Sequence, residues 1–302
     1  MTQPVVSVLL LTKNAGPRLE QVLSSVFAQQ GVRFEVLAMD SGSTDGTLEL
    51  LRATPADVHE IPAGTFSHGG TRNRIAGLAR RPLLAFLTQD ARPIGTDWLA
   101  NLVAALEDPK VAGAFGRQLP RTGAGDCERY FQGYLYPSQP RRMVLEPGQR
   151  YRIAEFFFSN ANSMIRKSVW ERVPFPEHVV MSEDQWWARE ALRRGYVLTY
   201  VPDAAVEHSH FHGPVALFRR NFDSGVSLRG LDESTPLEAA TRFATYLGGE
   251  FRFLSARGKP YAIPGALGRE LMRAAGLVAG AHSRFLPRKA RAQLSMHRYH
   301  WT

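Results

Sequence analysis

Apolar positions along the first 120 residues follow two spacings. The unbroken run VVSVLLLT predicts a short strand buried on both faces. Leu19, Val22, Leu23, Val26 and Phe27 then recur every three or four positions, which predicts a helix. FEVLAMD reads as the next strand and runs into the loop SGSTDGT, where Thr44 or Asp45 can cap a following helix. VHEIPA is a weaker strand, RNRIAGLA a helix, LLAFLTQD a strong strand and DWLANLVAALED an amphipathic helix; VAGAFGRQL closes the series. Strands alternating with helices imply an α/β fold with a Rossmann-like, mostly parallel central sheet flanked by helices. Ligands of such sheets collect beyond the carboxyl ends of the strands. The loops after Thr12, Met39 and Leu87 are therefore the first places to look.

The second half is less regular. Residues 121–150 are rich in Gly, Pro, Arg and Tyr and read as a mobile loop. The apolar run AEFFFSNANSMI follows, then a helix around EDQWWAREALRRG and a strand YVLTYVPDAAVEH. From Pro214 onward the signals are helical, with a break between Gly258 and Gly265. Beyond it, Leu267, Leu271, Ala275, Val278 and Phe285 recur at roughly helical spacing. The expected division is a catalytic unit over residues 1–213 and a helical, basic extension over 214–302.

Composition narrows the class. A chain of 302 residues with 44% hydrophobic and 22% charged positions suits a soluble globular protein of one large domain plus an extension. Its single cysteine, Cys127, permits no internal disulfide and fits a reducing compartment. The opening MTQPVVSVLLLTKN has no basic start or small-residue cleavage site, so it reads as a core strand rather than a signal peptide. No later stretch reaches the roughly 18 uncharged apolar residues that a membrane-spanning helix needs. The net charge of +9 is uneven: after Glu270 only basic residues occur, namely Arg273, Arg284, Arg288, Lys289, Arg291 and Arg298. Such an excess points to an anionic partner (nucleic acid, anionic lipid or a phosphorylated substrate) or to a solubilising tail.

Several residues carry candidate chemistry, each with a plainer alternative. Asp40 ends the second strand and can accept hydrogen bonds from a base or ribose, or belong to a capped turn. Asp90 ends LLAFLTQD beside the phosphate crevice. It is a natural ligand for a hard cation, or a cap or salt-bridge partner of Arg92. In FSHGGTRN the glycines can admit a ligand close to the backbone, Arg72 can reach a phosphate and Asn73 can hold a loop; otherwise the segment is a Gly-rich helix start. Glu183 and Asp184 open a helix, where acidic side chains favour the N-terminus, and either is a candidate general base. His208, His210 and His212 alternate and so share one side of an extended segment, as metal or phosphate ligands would.

In order, the segments VSVLLLTKNAGPRLEQVLSSVFAQ, MDSGSTDGT, GGTRNRIAGLA, FLTQDA, SNANSMIRKSVWERVPFPE and SEDQWWAREALRRG, followed by a histidine pair, resemble family 2 glycosyltransferases over roughly residues 5–212. The resemblance implies the GT-A fold, with Asp40 at the nucleotide base, Thr12 under the nucleoside and Asp90 as the metal-binding last position of the DxD motif. It implies Asp184 as catalytic base. Arg72, Asn73, Gln89, Asn160, Asn162 and Glu183, within the matched segments, are expected to bind substrate. The motif reads Thr88, Gln89, Asp90, so its first carboxylate is missing and a histidine ligand, His208 first and His210 second, is expected to complete the Mg²⁺ or Mn²⁺ site. The spelling TQDA with MDSGSTDGT and HGGTRN is similar to bacterial rhamnosyltransferases, which implies dTDP-L-rhamnose as donor.

The expected reaction is a single inverting displacement, with the metal and Arg72 neutralising the departing diphosphate. A dinucleotide-dependent oxidoreductase fits poorly, because TKNAGPR rather than GxGxxG follows the first strand. A nucleotidyltransferase, a glycosyltransferase using a UDP- or GDP-sugar, and a basic membrane- or nucleic-acid-binding module are the rivals. The ordered motifs argue against the module and against a nucleic-acid partner. The basic, aromatic-bearing tail suggests an enzyme peripheral on an anionic membrane surface, and the resemblance implies the cytoplasmic face and a lipid-linked or other envelope glycan as acceptor. Packing on the catalytic domain, or on a second subunit as a homodimer, is the other use of that tail.

Overall fold

The computed structural model describes residues 5–210 and 212–301. Strands β1 (Val5–Thr12), β2 (Arg33–Asp40), β3 (Asp57–Glu60), β4 (Leu83–Thr88), β5 (Arg92–Pro93), β6 (Val111–Leu119), β7 (Arg141–Met143), β8 (Asn162–Arg166) and β9 (Val197–Glu207) form one sheet. Its order is β3-β2-β1-β4-β8-β6-β9-β5, with β7 paired to β9. β2, β1, β4, β3, β6 and β9 share one direction, and β8, running against both β4 and β6, is inserted between them. The sheet is therefore mostly parallel.

The alternating sides of β1 explain its unbroken apolar run. Val8 and Leu10 pack with Val22 and Val26 of α1 (Arg18–Phe27) and with Trp98 and Leu102 of α4 (Trp98–Ala105). Leu9 faces the other way, into a core shared with Ile75 of α3 (His68–Leu78) and Trp187 of α8 (Glu183–Arg193). A strand covered by helices on both sides has no polar face to keep.

The first helix cap is more specific than the sequence suggests. α2 (Thr47–Arg52) starts after Gly46, whose φ of 89° is left-handed. Asp45 Oδ1 accepts from Thr47 N at 3.2 Å, so the aspartate rather than Thr44 satisfies the helix start. Residues 121–150 are not simply a loop. They contain α5 (Asp126–Leu135) and β7, and the buried Glu128 and Gln132 of α5 face inward. Gly and Pro at the ends of this stretch hid a helix whose apolar side is mostly aromatic. Two further short helices, α6 (Ile153–Phe156) and α7 (Lys167–Trp170), flank β8.

The extension consists of α9 (Pro214–Leu228), α10 (Pro236–Ala256), α11 (Ile263–Ala281) and α12 (Arg288–Leu294). α9 and α11 meet along glycines. A Cβ on Gly276 would lie 2.4 Å from Phe218 O, and one on Gly280 would lie 2.0 Å from Phe222 O, so only glycine allows this approach. The apolar stripe of this helix faces outward: Leu271 is 53%, Val278 60% and Phe285 71% exposed. The inner side of α11 is built from Ala266, Glu270, Gly276 and Gly280. No helix of the described residues is long and apolar enough to cross a membrane.

Candidate active site

β2 and β3 lie on one side of β1, and β4 lies on the other. The chain thus reverses its direction of sheet building at β1, and a crevice opens between the carboxyl ends of β1 and β4. Register places Thr12 beside Asp40 and Leu11 beside Thr88. The resulting cleft has a volume of about 560 Å³, within the range of small-molecule sites. Thr12, Lys13, Thr88, Gln89 and Asp90 form one wall, the start of α8 another, and α5, α9 and α11 close the far side.

Asp90, His208 and His210 converge at one end. Their ligand atoms lie within 4.8 Å of one another, the spacing of a candidate cation site. His208 follows β9, and its backbone N–H donates to Leu119 O at 2.9 Å. This continues the β6–β9 pairing and sets the ring beside Gln118, whose Oε1 is 2.7 Å from His208 Nδ1. With Nδ1–H donating there, Nε2 is left as a lone pair. It is buried without a hydrogen-bond partner and lies 3.4 Å from Asp90 Oδ1. Two acceptors facing each other in a buried place suit a divalent cation between them. His210 Nδ1 is 3.6 Å from Asp90 Oδ2. Burial, then the neighbouring His208, push the His210 imidazole down to about 3, so its ring is neutral and able to ligate. Burial raises the Asp90 pKa, but its basic neighbours, His208 first, then His210 and Arg121, outweigh it and hold the carboxyl well below its ordinary range. The salt bridge that Asp90 makes is to Arg121, at 2.7 Å, and not to Arg92, which pairs with Glu207. Thr88, where the first DxD carboxylate would stand, has a buried hydroxyl oxygen with no partner.

At the other end, Ser182 adopts φ 61° and turns the chain sharply into α8. Glu183 and Asp184 occupy the first turn, yet their environments differ. Glu183 Oε1 is 3.0 Å from Arg72 Nη1, and both side chains are buried. Burial raises Glu183's pKa, but the Arg72 charge outweighs it and keeps the carboxyl low. Asp184 makes no salt bridge among the described residues, although Arg72 lies near enough to lower its pKa somewhat. Its Oδ2 accepts from Asn160 N at 3.0 Å and its Oδ1 from Gln185 N at 2.8 Å. Burial first, and the Glu183 charge second, push it up to about 7. Paired carboxyl groups with separated pKa values are the pattern of a site that holds one charge and moves one proton.

The remaining expected residues divide. Thr12 and Gln89 line the cleft. Thr12 Oγ1 donates to Asp40 Oδ2 at 2.8 Å, and Gln89 is bonded on both amide atoms to the Lys13 backbone. Asn160 sits behind the pair, with its Nδ2 3.4 Å from Glu183 Oε1. Three residues expected at the substrate lie elsewhere. Asp40 is fully buried and accepts from Thr12, from the amides of Gly42 and Ser43 and from the Ser43 hydroxyl, so it holds the SGS turn. Asn73 clamps the 170–177 loop through Trp170 Nε1 and both backbone polar groups of Phe175. Asn162 is fully buried between Trp98 Nε1 and Ala204 O. Nor do the glycines of FSHGGTRN admit a ligand: a Cβ on Gly69 would be 2.0 Å from Pro176 O, and the approach it allows is to that loop.

Sequence reasoning missed several residues. Gln118 orients His208, and Arg121 holds Asp90. Arg220 and Asn221 of α9 line the cleft, as does His297 near the chain's end. His297 is anchored by the fully buried Asp223, whose Oδ2 accepts from His297 Nδ1 at 2.9 Å and from two tail amides. Its Nε2 lies 3.5 Å from His68 Nε2. The tail therefore helps wall the cleft.

Comparison with known proteins agrees with this geometry. Residues 7–173 match the family described as Glycosyl transferase family 2. The chain is 31% identical to the O-antigen chain rhamnosyltransferase RfbN of Salmonella typhimurium over 98% of this chain and 96% of that one. It is 28% identical to the N-acetylglucosaminyl-diphospho-decaprenol L-rhamnosyltransferase of Mycobacterium tuberculosis, over 69% of this chain and 77% of the relative. Among solved structures, the mannosyltransferase PcManGT from Pyrobaculum calidifontis, in complex with GDP-Man and Mn²⁺, superposes with a TM-score of 0.59 at 22% identity. That match covers 99% of this chain and 86% of the other. The chain belongs to glycosyl transferase family 2 and is a glycosyltransferase of the GT-A fold.

Proposed function

We propose that this enzyme transfers L-rhamnose from dTDP-L-rhamnose to a hydroxyl of a lipid-linked or other envelope glycan, with inversion at the anomeric carbon. The observation that carries the mechanism is the split carboxyl pair: Glu183 held ionised by Arg72, and Asp184 raised to about 7 at the cleft. The donor and acceptor classes are supported by the relatives, which are named as O-antigen chain and diphospho-decaprenol-linked rhamnosyltransferases.

The chemistry follows from this chain's own residues. Asp184 takes the proton of the acceptor hydroxyl as that oxygen forms its bond to the anomeric carbon. The bond from that carbon to the diphosphate oxygen breaks on the opposite face, and its electron pair leaves with the nucleoside diphosphate. Arg72 and Asn160 hold Glu183 and the α8 start, so that Asp184 stays oriented. Asp90, His208 and His210 would hold Mg²⁺ or Mn²⁺, which when bound supplies positive charge for the leaving diphosphate. Thr12 and Gln89 border the nucleoside end.

A donor panel tests the reading. The enzyme, with Mn²⁺ or Mg²⁺ and a prenyl-diphosphate-linked sugar acceptor, is incubated with dTDP-L-rhamnose and with UDP- and GDP-sugars. Products are read by mass spectrometry, and the new linkage by NMR. Turnover of dTDP-L-rhamnose with inverted configuration is expected. Transfer from a UDP- or GDP-sugar alone overturns the donor assignment, and retained configuration overturns the single displacement.

A further inference from the structure

Among the cations of the cleft, Arg220 differs from the others in its bonding. Arg72 is paired with Glu183, Arg121 with Asp90, and Arg273 with Glu270 at 2.9 Å. Lys13 Nζ donates to the carbonyls of Ser41 and Gly42. The Arg220 guanidinium lines the cleft and makes no hydrogen bond or ion pair among the described residues.

Its position is set from two sides. On α9, Leu217, Asn221, Ser224 and Leu228 share the cleft-facing side with it at helical spacing. α9 itself is tied to the start of α8: Ser227 Oγ accepts from Met181 N at 3.1 Å, and Ser227 O accepts from Trp186 Nε1 at 2.7 Å. Gly225 lets α11 close behind it, since a Cβ there would be 2.2 Å from Leu277 O. The helix that carries Arg220 is consequently fixed against the cleft.

The charges around it do not supply a counter-ion. It feels Asp184 and Asp90, but Asp184 is bound by two backbone amides and Asp90 by Arg121 and the histidines. Arg273 is a further cation nearby. Burial, the main influence on Arg220, lowers its pKa from the ordinary arginine value, yet arginine does not give up its proton in proteins. A half-buried guanidinium that has no counter-ion among the described residues is open to an anion entering the cleft, and its planar fork matches two oxygens of one phosphate group.

We infer that Arg220 binds the diphosphate of the nucleotide donor, between the Asp90–His208–His210 cluster and Asp184, so that the extension beyond residue 213 supplies part of the donor site. The inference rests on the nucleotide-sugar reading above. It gives the leaving group a fixed positive charge from the protein. It also gives the glycine-packed α9–α11 pair a task in substrate binding.

The test uses the full chain and measures binding of dTDP, dTMP and thymidine by calorimetry, with Mn²⁺ and in chelator. Arg220→Met is expected to weaken dTDP by roughly 10- to 100-fold, the value of a charge-assisted phosphate contact, with a much smaller effect on thymidine. Arg220→Lys, which keeps the charge and loses the fork, is expected to fall between. Because the guanidinium has no hydrogen-bond or ion-pair partner among the described residues, Arg220→Met is expected to melt no lower than wild type. A purely structural arginine would lower the melting temperature instead. Unchanged dTDP affinity in Arg220→Met overturns the inference. Unchanged dTDP affinity with weaker binding of a prenyl diphosphate also overturns it, and moves the contact to the acceptor. Failure of wild type to bind any nucleoside diphosphate overturns the donor reading itself along with it.

Discussion

Glu183 and Asp184 are adjacent in sequence, yet one has a buried arginine at 3.0 Å and the other accepts from two backbone amides. That difference gives Asp184 two measurable signatures. As a base it must be deprotonated, so kcat/KM is expected to rise as pH rises through about 7. For stability the sign is opposite. The folded state binds the Asp184 proton more tightly than the unfolded chain does, so between about 4 and about 7 rising pH removes stability. Asp184→Asn should therefore reduce transfer on the order of 10² to 10⁴-fold while keeping donor affinity, and should melt above wild type at pH 8. Pre-steady-state transfer assays and melting curves at pH 6 and pH 8 check both. Lost donor affinity with an unchanged maximal rate would make Asp184 a binding residue. The second residue-scale prediction concerns Gln118, which orients His208 through Nδ1. Gln118→Leu is expected to weaken Mn²⁺ binding by roughly 10- to 100-fold in a titration followed by electron paramagnetic resonance, and Asp90→Ala to abolish it. Full activity of wild type in chelator would remove the metal from the mechanism.

Among the elements, α9 and α11 are the pair whose packing controls the cleft. Their close approach depends on glycine at 225, 276 and 280, because each added Cβ would meet backbone of the facing helix. Gly280→Val puts two methyl groups and a Cβ against Phe222 O. Overpacking of this kind costs about 1–3 kcal/mol, and here it must also move the helix that carries Arg220. The expected outcome is a lower melting temperature together with weaker dTDP binding, whereas Val278→Ala on the exposed side of α11 should change neither. A Gly280→Val protein with wild-type stability would mean that the two helices do not pack as described. α5 belongs to the same wall, since its Glu128, Phe131 and Gln132 line the cleft opposite the strand ends.

For the whole molecule, the cleft and the outer side of the extension are separate surfaces. Leu267, Leu271, Val278 and Phe285 are exposed on α11 and just after it, beside the run of basic residues that ends the chain. Together these are the features of a surface helix lying on anionic lipid, each cation contributing about 1 kcal/mol near the bilayer. We therefore propose a peripheral association that brings the cleft to a lipid-linked acceptor. The full chain is expected to co-sediment with vesicles containing anionic lipid at low salt and to release at high salt, as screening shortens the reach of the charges. Leu271→Ser with Phe285→Ser should weaken the association and leave donor binding intact. Absence of wild-type binding at low salt would exclude the lipid surface, and a concentration-dependent dimer in sedimentation would then assign the same surface to a second subunit.

The amino-acid sequence alone determined the strands and helices of the first half, because hydrophobic periodicity is a local property and β1, β4 and β6 are buried by their immediate covering helices. It also singled out Asp90, the Glu183–Asp184 pair and the histidines, since each is a short string at an element's end. It did not reveal which polar residues point into the cleft. Asp40, Asn73 and Asn162 sit in motif segments, but their side chains are saturated by turns and loops of their own fold. Nor did it reveal Gln118 against His208, Asp223 against His297, or Arg220 in one cleft with Glu183 and Asp184. Those partners are tens of residues apart, and only the closing of α9, α11 and the tail over the strand ends brings them together. Local patterning decides what a segment becomes, while the direction of a side chain and the counter-charge it meets depend on contacts that exist only after the layers have packed.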